Sequence, residues 1–355
     1  MDADPLASAA RPSARRALGG VGVAASVTVG LLLLWYARDV LLLAFAGVLL
    51  AIFFRRLATW VSGHTPLSPR WGLVVVVLAL FGCLVGAFAV RGPAIASEVR
   101  SLREQLPQAA ESLKGRLAKY ELGRRAIEEA PSARELLPDS PDAITRATGV
   151  VSSTVSALGS FAIIVFLGIV LAATPRVYAN GLLALVPERA VGRGREVIAR
   201  LYDTLWWWLV GRVISMTFIG VVTGVGLWLL GIPLAFPLGL LAALLSFIPN
   251  LGPILSAVPA VLLALAQEPR LALWVALLYA GVQMVESFVL DPIIDRKTIY
   301  LPPALTVIAQ LVLAVFSGMI GVALATPLTA AAVVLVTMLY VQGVLGRRDV
   351  DLPAR

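Results

Sequence analysis

The chain has few of the residues that most enzyme chemistry requires. Its 355 residues include one cysteine, Cys83, and one histidine, His64. A single cysteine excludes disulfide frameworks and CxxC metal or redox sites. One histidine leaves no HExxH motif and no Ser-His-Asp candidate, and the sequence has no glycine-rich phosphate loop. We therefore expect no enzyme, no resident cofactor and no protein-bound metal.

Charge is also scarce, because only 14% of the residues are charged while 59% are hydrophobic, with a mean hydropathy of +0.90. A soluble protein is about a quarter charged, and a membrane-spanning helix needs about 20 apolar residues. The composition predicts an all-α, polytopic integral membrane protein with eight or so membrane segments. The net charge of +8 is scattered through short loops. We interpret this charge as a signal of orientation in the membrane. We expect the lipid bilayer as a partner and no nucleic acid.

The first 90 residues predict a tail followed by a three-span scaffold. Residues 1–17 form a basic tail, and residues 18–90 carry apolar runs near 18–36, 40–57 and 71–90. The first two runs are almost contiguous, so they predict a helical hairpin. A cleaved signal peptide is the alternative interpretation of the first run.

Residues 91–146 differ from the rest of the chain, with ten basic and nine acidic residues. Apolar positions recur there at spacings of three and four, which is typical of an amphipathic helix. They are Leu102, Leu106, Ala109, Leu113, Leu117 and Tyr120. We expect a helical subdomain outside the membrane whose leucine stripe contacts a second copy of the chain in a homo-oligomer. A disordered loop is the alternative.

Residues 147–346 predict a transport region, followed by a short tail at 347–355. Full spans are predicted near 150–173, 206–230 and 271–290, and a charged connector separates the first two. The connector runs from Arg176 to Asp203, and Trp206, Trp207 and Trp208 follow it at the predicted mouth of a span. Indole side chains favour the membrane interface, although three consecutive tryptophans on a helix point in three directions.

The distribution of basic residues predicts the orientation. Short loops rich in arginine and lysine stay in the cytoplasm, whereas long domains cross the membrane regardless of charge. This rule places both termini in the cytoplasm of a bacterial cell, in the inner membrane. It places residues 91–146 and the turn at Glu268 and Arg270 on the opposite side.

Two apolar stretches, 233–267 and 302–336, resemble each other at an offset of 69 residues. Each contains two halves too short to span a membrane, and each is interrupted at its centre. The residues at the interruptions are Pro249, Gly252, Pro253, Gly318 and Gly321. Each stretch follows a full span, so we predict an internal repeat of units 202–267 and 271–336. With two re-entrant hairpins the fold would have about six full spans, and inverted repeats of this kind are typical of secondary transporters.

Few ionisable side chains lie within the predicted spans. Arg212 and Glu286 are the main ones, and a charge at that depth is expensive and usually functional. Gln283 and Ser287 flank Glu286, and Gln283 shares a helical face with it. With Asn250 at the first hairpin tip, these residues are the predicted binding site for a solute, a sodium ion or a proton. The alternatives are snorkelling for Arg212, a structural interhelical hydrogen bond for Glu286 and a helix cap for Asn250.

Four charged residues, Asp291, Asp295, Arg296 and Lys297, follow Glu286 at the end of its span. Two are acidic and two are basic, which permits local ion pairs. We interpret them as an interfacial anchor or a cytoplasmic gate.

The sequence resembles the AI-2E transporter family, permeases named for autoinducer-2 export, over nearly its whole length. The resemblance is carried by Ile248-Pro249-Asn250-Leu251-Gly252-Pro253, Gln283-x-x-Glu286, Leu301-Pro302-Pro303 and Ala323-Leu324-Ala325-Thr326-Pro327-Leu328. Where the family often has Gly-Asn after the glutamate, this chain has Ser287-Phe288, and it has Asp295 where glycine is common.

The resemblance implies export of a small polar solute such as autoinducer-2 through a site between the two hairpins. It also implies an alternative, because some members resemble antiporters that exchange sodium or lithium for protons. From a different class, a membrane scaffold that transports nothing would tolerate substitution of the hairpin tips.

Overall fold

The computed structural model describes residues 35–83, 143–295 and 301–347, with scattered residues between 28 and 32 and between 85 and 105. These residues are helical apart from short turns, and none of them forms a strand. The helices are α1 (Arg38–His64), α2 (Pro69–Cys83), α3 (Ala143–Ala173), α4 (Pro175–Ala184), α5 (Val191–Leu229), α6 (Ala235–Leu245), α7 (Leu251–Gln267), α8 (Pro269–Val285), α9 (Asp291–Asp295) and α10 (Pro303–Leu335).

Four stretches are long and apolar enough to cross a membrane. They are Arg38–His64, Glu188–Leu229, Pro269–Ile294 and Pro303–Val341, and α3 with α4 makes a fifth if that bent pair is one span. The prediction of an all-α, multi-pass membrane protein is confirmed. The division into six full spans and two re-entrant hairpins stays a prediction. The basic tail and most of both the first predicted run and the 91–146 subdomain lie outside the described residues.

The charged connector predicted at 176–203 is itself largely helical. Helix α4 begins at Pro175, a 3₁₀ turn covers Glu188–Ala190, and α5 then runs unbroken for 39 residues. No proline interrupts α5, and its charged first turns can stay helical outside the apolar layer because their side chains reach water. The span predicted to begin near residue 206 therefore continues a longer helix.

The tryptophans predicted at the membrane boundary point in different directions from α5. Trp208 is buried and meets Phe247 of the first hairpin edge-to-face, with ring centroids 5.7 Å apart. Trp206 lies 6.3 Å from the Phe53 ring and 5.8 Å from the Arg56 guanidinium. Trp208 thus contributes to the packed interior, because residues two apart on a helix face nearly opposite ways.

The first hairpin consists of α6 and α7, joined by residues 246–250. Pro249 has no N–H to continue α6. Asn250 adopts φ +67° and ψ −45°, and the Leu251 N–H donates to the Pro249 carbonyl at 2.8 Å, which closes a tight γ-turn. A Cβ on Gly252 would lie 2.0 Å from the Leu245 carbonyl oxygen. Only glycine lets the returning arm pass this close to the end of α6.

The second hairpin is a reversal within α10. Ser317 and Gly318 have non-helical dihedrals, and Gly318 has a φ of +59°. A Cβ on Gly321 would lie 2.2 Å from the carbonyl oxygen of Leu313, eight residues earlier. In a continuous helix those residues would be about 12 Å apart. The chain therefore folds back on itself within the segment where the sequence predicts an interruption.

Close helix packing assembles these elements. A Cβ on Gly239 of α6 would lie 2.7 Å from the Gly224 Cα of α5, so the two backbones touch. Small residues at such crossings are typical of membrane helix pairs. A buried cluster from α5 to α8 includes Leu227, Leu238 and Val275. A second cluster brings α1, α5 and the returning arm of α10 together around Trp208.

The first testable prediction concerns the turn glycine. We expect Gly252→Ala to lower the free energy of unfolding by about 1–3 kcal/mol, because the new methyl group must displace backbone atoms. Thermal unfolding of the detergent-solubilised protein, followed by tryptophan fluorescence, measures the loss. The matched control is Gly281→Ala in α8, where a Cβ meets nothing within 4 Å. Equal midpoints for the two variants would contradict the packing described here.

Candidate functional site at the first hairpin turn

Arg212 of α5 points at the turn of the first hairpin. Its side chain is 14% exposed, and its Nη1 donates a hydrogen bond to the Ser246 carbonyl oxygen at 2.9 Å. The same nitrogen lies 3.8 Å from Glu286 Oε1. A guanidinium at the end of a span can snorkel to water. Here it instead lies against two buried oxygen atoms.

Glu286 lies where α8 ends and a π-helical segment begins. Helix α8 gives way to a π-helical segment, Glu286–Leu290, and the glutamate is 4% exposed although its neighbour Ser287 is exposed. A π segment inserts residues into a helix and re-aims the following side chains, and such segments are frequent at functional sites. The carboxylate is within ion-pair distance of Arg212 but too far for a direct hydrogen bond.

The turn between α6 and α7 supplies backbone carbonyl groups that helical bonding cannot satisfy. In a continuing helix the Ser246 carbonyl would accept from the N–H of residue 250, but Asn250 has left the helical conformation. Arg212 donates to the Ser246 carbonyl instead. The Pro249 carbonyl accepts both the Leu251 N–H and, at 3.0 Å, the side-chain amide of Gln310. Two long polar side chains from other helices thus satisfy the turn.

Gln310 is the residue that sequence reasoning missed. It lies on the first arm of α10, is 3% exposed and connects the second hairpin to the turn of the first. The available signal is that Gln310 is the one side-chain amide in the apolar stretch 302–336. Its partner is 61 residues away in sequence, so no local pattern identifies the contact.

The predicted partners of Glu286 lie around it, although unequally. Gln283 is half-buried and within hydrogen-bonding reach of the carboxylate. The Gln283 amide also lies 3.4 Å from the hydroxyl of exposed Ser287. Asp291, half-buried at the start of α9, adds a second negative charge near Glu286. The Asp295 side chain and all of Arg296 lie outside the described part of the chain, so the proposed gate stays a prediction.

Asn250 is in the N-cap position of α7, but its side chain makes no capping hydrogen bond and is exposed. The interpretation of Asn250 as a helix cap is therefore wrong. Capping residues usually have extended backbone dihedrals, whereas Asn250 has a positive φ imposed by the γ-turn. Its amide is left facing outward at the tip.

The remaining predicted tip residues hold the backbone of the two turns. Pro249 ends the first arm, and Pro253 accepts the Ser256 hydroxyl hydrogen bond at 3.0 Å within the first turn of α7. Gly252, Gly318 and Gly321 permit the reversals described above. None of the five carries a side chain that could bind a solute, so any contact they make is through the backbone.

Three further buried hydroxyl groups have no hydrogen-bond partner among the described residues. They belong to Thr223 of α5 and to Ser317 and Thr326 of α10. A buried hydroxyl without a partner is costly and calls for an explanation. Two of the three are in the second hairpin, Ser317 at its reversal and Thr326 on its returning arm.

The chemistry available at the turn is therefore hydrogen bonding and charge compensation. Arg212 and Gln310 are donors, and Glu286 is a buried acceptor close to a cation. Within the described ranges, no three His, Cys, Asp or Glu side chains cluster as a protein-bound metal would require. The arrangement can exchange one set of oxygen partners for another, as binding of a polar solute or a cation would demand.

Comparison with known proteins identifies the family of the chain and several relatives. Residues 25–340 match the family model described as AI-2E family transporter. Three relatives share the name "Putative transport protein". YrrI of Bacillus subtilis (strain 168) is 25% identical over 81% of this chain and 84% of its own length. YueF of the same organism is 28% identical over 41% of this chain and 40% of its own length. A Thermotoga maritima protein is 30% identical over 38% of this chain and 42% of its own length.

The second prediction tests the buried ion pair. We expect Arg212→Met to lower the free energy of unfolding by about 3–5 kcal/mol, because it leaves the Glu286 charge buried without its partner. Adding Glu286→Gln to Arg212→Met should restore part of that loss, since the unpaired charge is then gone. The free energies of unfolding of both single variants and of the double variant, measured in detergent, complete the double-mutant cycle. Strictly additive losses would show that the two side chains do not interact.

Proposed function

The chain belongs to the AI-2E transport family, and on this basis we propose that it is a secondary transporter whose solute binds between the turns of its two hairpins. Its apolar helices make it a multi-pass membrane protein. The solute is a small polar molecule of the autoinducer-2 kind, and the direction is export. The protein lies in the bacterial inner membrane with both termini in the cytoplasm, in keeping with its arginine-rich short loops.

One observation carries this proposal. Arg212 from α5 and Gln310 from α10 both donate to backbone carbonyls of the same turn, those of Ser246 and Pro249. If the turn moves away, both donors lose their partners inside an apolar protein, where an unsatisfied group is costly. The hydroxyl or carbonyl oxygens of a polar solute can replace the turn carbonyls. The solute and the turn carbonyls are then alternative partners for the same two donors, so solute binding accompanies movement of the hairpin.

The donors and acceptors favour a solute rich in hydroxyl groups. Arg212 and Gln310 supply N–H donors, and Glu286 accepts. A small polyol or hydroxyketone has oxygen atoms in comparable number, and burying them requires such a set of partners.

A second candidate function is antiport of sodium or lithium against protons. It is favoured by the burial of Glu286 at 4% exposure, 3.8 Å from Arg212. A carboxylate in that position can pair alternately with the arginine and with a small cation. Buried carboxylates within membrane helices often mark ion or proton pathways.

The third prediction separates these functions in proteoliposomes. We expect a panel of small polyols to include a solute taken up by vesicles containing the wild-type protein. Glu286→Gln should slow that uptake about tenfold or more, because a hydrogen bond to a charged group is worth about 1.5–3 kcal/mol. Glu268→Gln, in the exposed turn before α8, is the matched control and should leave uptake unchanged.

Proton movement in the same vesicles tests the second candidate. A pH-sensitive dye inside the vesicles reports protons exchanged for added sodium or lithium. We expect no cation-driven signal from the wild-type protein. A signal that Glu286→Gln abolishes, with no polyol uptake, would replace the proposed solute transport by antiport. If Glu286→Gln leaves both fluxes intact, the candidate site itself is wrong.

A further inference from the structure

One end of the molecule carries a concentration of arginine. Residues 55–70 and 176–203 together contain eight arginines and three acidic residues. They occupy the last part of α1, the start of α2, α4 and the first turns of α5. Arg70 at the start of α2 lines a cavity with Thr174 at the end of α3, which brings the two ranges to the same end.

Helix α4 turns away from the direction of α3. The bend between the two helices is 83°, so if α3 crosses the membrane, α4 lies nearly parallel to the membrane surface. Its outward face is apolar, with Tyr178, Leu182 and Leu185 at 42%, 61% and 83% exposure. An apolar face on a helix lying in the membrane plane is typical of an interfacial helix.

The opposite face of α4 borders a cleft of about 440 Å³ against α5 and α1. Its polar lining consists of Arg56, Asn180, Arg195, Tyr202 and Asp203, and its apolar lining includes Leu183 and Ile198. The Arg56 guanidinium lies close to the Tyr202 hydroxyl and over the Trp206 ring. The guanidinium is thereby held at the edge of the cleft, while Arg195 is exposed on α5.

We propose that this cleft binds the phosphate headgroup of an anionic phospholipid from the leaflet in which α4 lies. Arginine is suited to phosphate, because its planar guanidinium can donate two parallel hydrogen bonds. Arg56 and Arg195 contact the phosphate, and Asn180 and Tyr202 contact the glycerol oxygens. The acyl chains continue past Leu183 toward the apolar surface.

A lipid fits these features better than a free anion does. A soluble phosphate would use the two arginines alone, and it would gain nothing from the apolar lining or from the exposed apolar face of α4. Asp203 in the same cleft offsets one of the two positive charges, so charge alone holds an anion weakly and apolar contact is needed in addition. A phospholipid also brings apolar area to the site. This site is independent of the solute that the protein carries.

The test measures lipid binding to the full chain in detergent by native mass spectrometry. Phosphatidylglycerol and phosphatidylcholine with the same acyl chains are titrated separately. We expect the anionic lipid to bind more tightly, and Arg56→Gln with Arg195→Gln to weaken its binding by about tenfold or more, since each arginine near a charged lipid contributes about 1 kcal/mol. The control pair Arg189→Gln with Arg200→Gln removes the same charge outside the cleft and should change binding less than about threefold, because salt screens arginines that do not reach the headgroup.

A second variant distinguishes loss of lipid binding from loss of folding. Asp203→Asn removes the negative charge from the cleft, so we expect it to tighten phosphatidylglycerol binding, a gain that a misfolded protein cannot show. Equal losses for the cleft and control pairs, or no gain for Asp203→Asn, would overturn the proposal. So would displacement of the bound lipid by millimolar inorganic phosphate, because the cleft would then be a site for a soluble anion.

Discussion

The structure depends on hydrogen bonding of a turn buried among apolar helices. Residues 246–250 reverse the chain between α6 and α7, and a reversal leaves carbonyl groups that the helix no longer satisfies. Water is not available to replace them in an apolar layer, so side chains must do so. The Ser246 carbonyl receives Arg212, and the Pro249 carbonyl receives Gln310. These two contacts fix where α5, the first hairpin and α10 meet.

The position of Glu286 follows from the same requirement. An arginine that satisfies a buried carbonyl brings its charge with it, and that charge needs a counter-charge nearby. Glu286 supplies it at 3.8 Å, from the first residue of a π segment that changes the helical register of α8. The polar groups at the centre of the molecule therefore form one connected set. Substituting any of them changes the hydrogen bonding or the charge compensation at the turn itself.

The sequence predicts those parts of the fold that local chemistry decides. Pro249 and Gly252 mark the first turn because a missing N–H and a missing side chain have the same effect in any context. The depth of Glu286 follows from its apolar neighbours. The contact between Gln310 and Pro249 could not be predicted, because it is set by how two hairpins pack. The alternative interpretation of Asn250 as a helix cap is wrong because the γ-turn gives its backbone a positive φ, which the local sequence does not show. The full length of α5 could not be predicted because its first turns are charged.

The unbroken length of α5 has a mechanical consequence. Near its start, Arg193 donates to the Met338 carbonyl and to the Gln342 side chain, both in the segment that follows α10. Arg212 lies 19 residues later, about 28 Å along the same rod. A helix without proline resists bending, so a twist or slide of α5 at one end reaches the other. Release of the first hairpin turn and loosening of the segment after α10 are thereby coupled through one rigid helix.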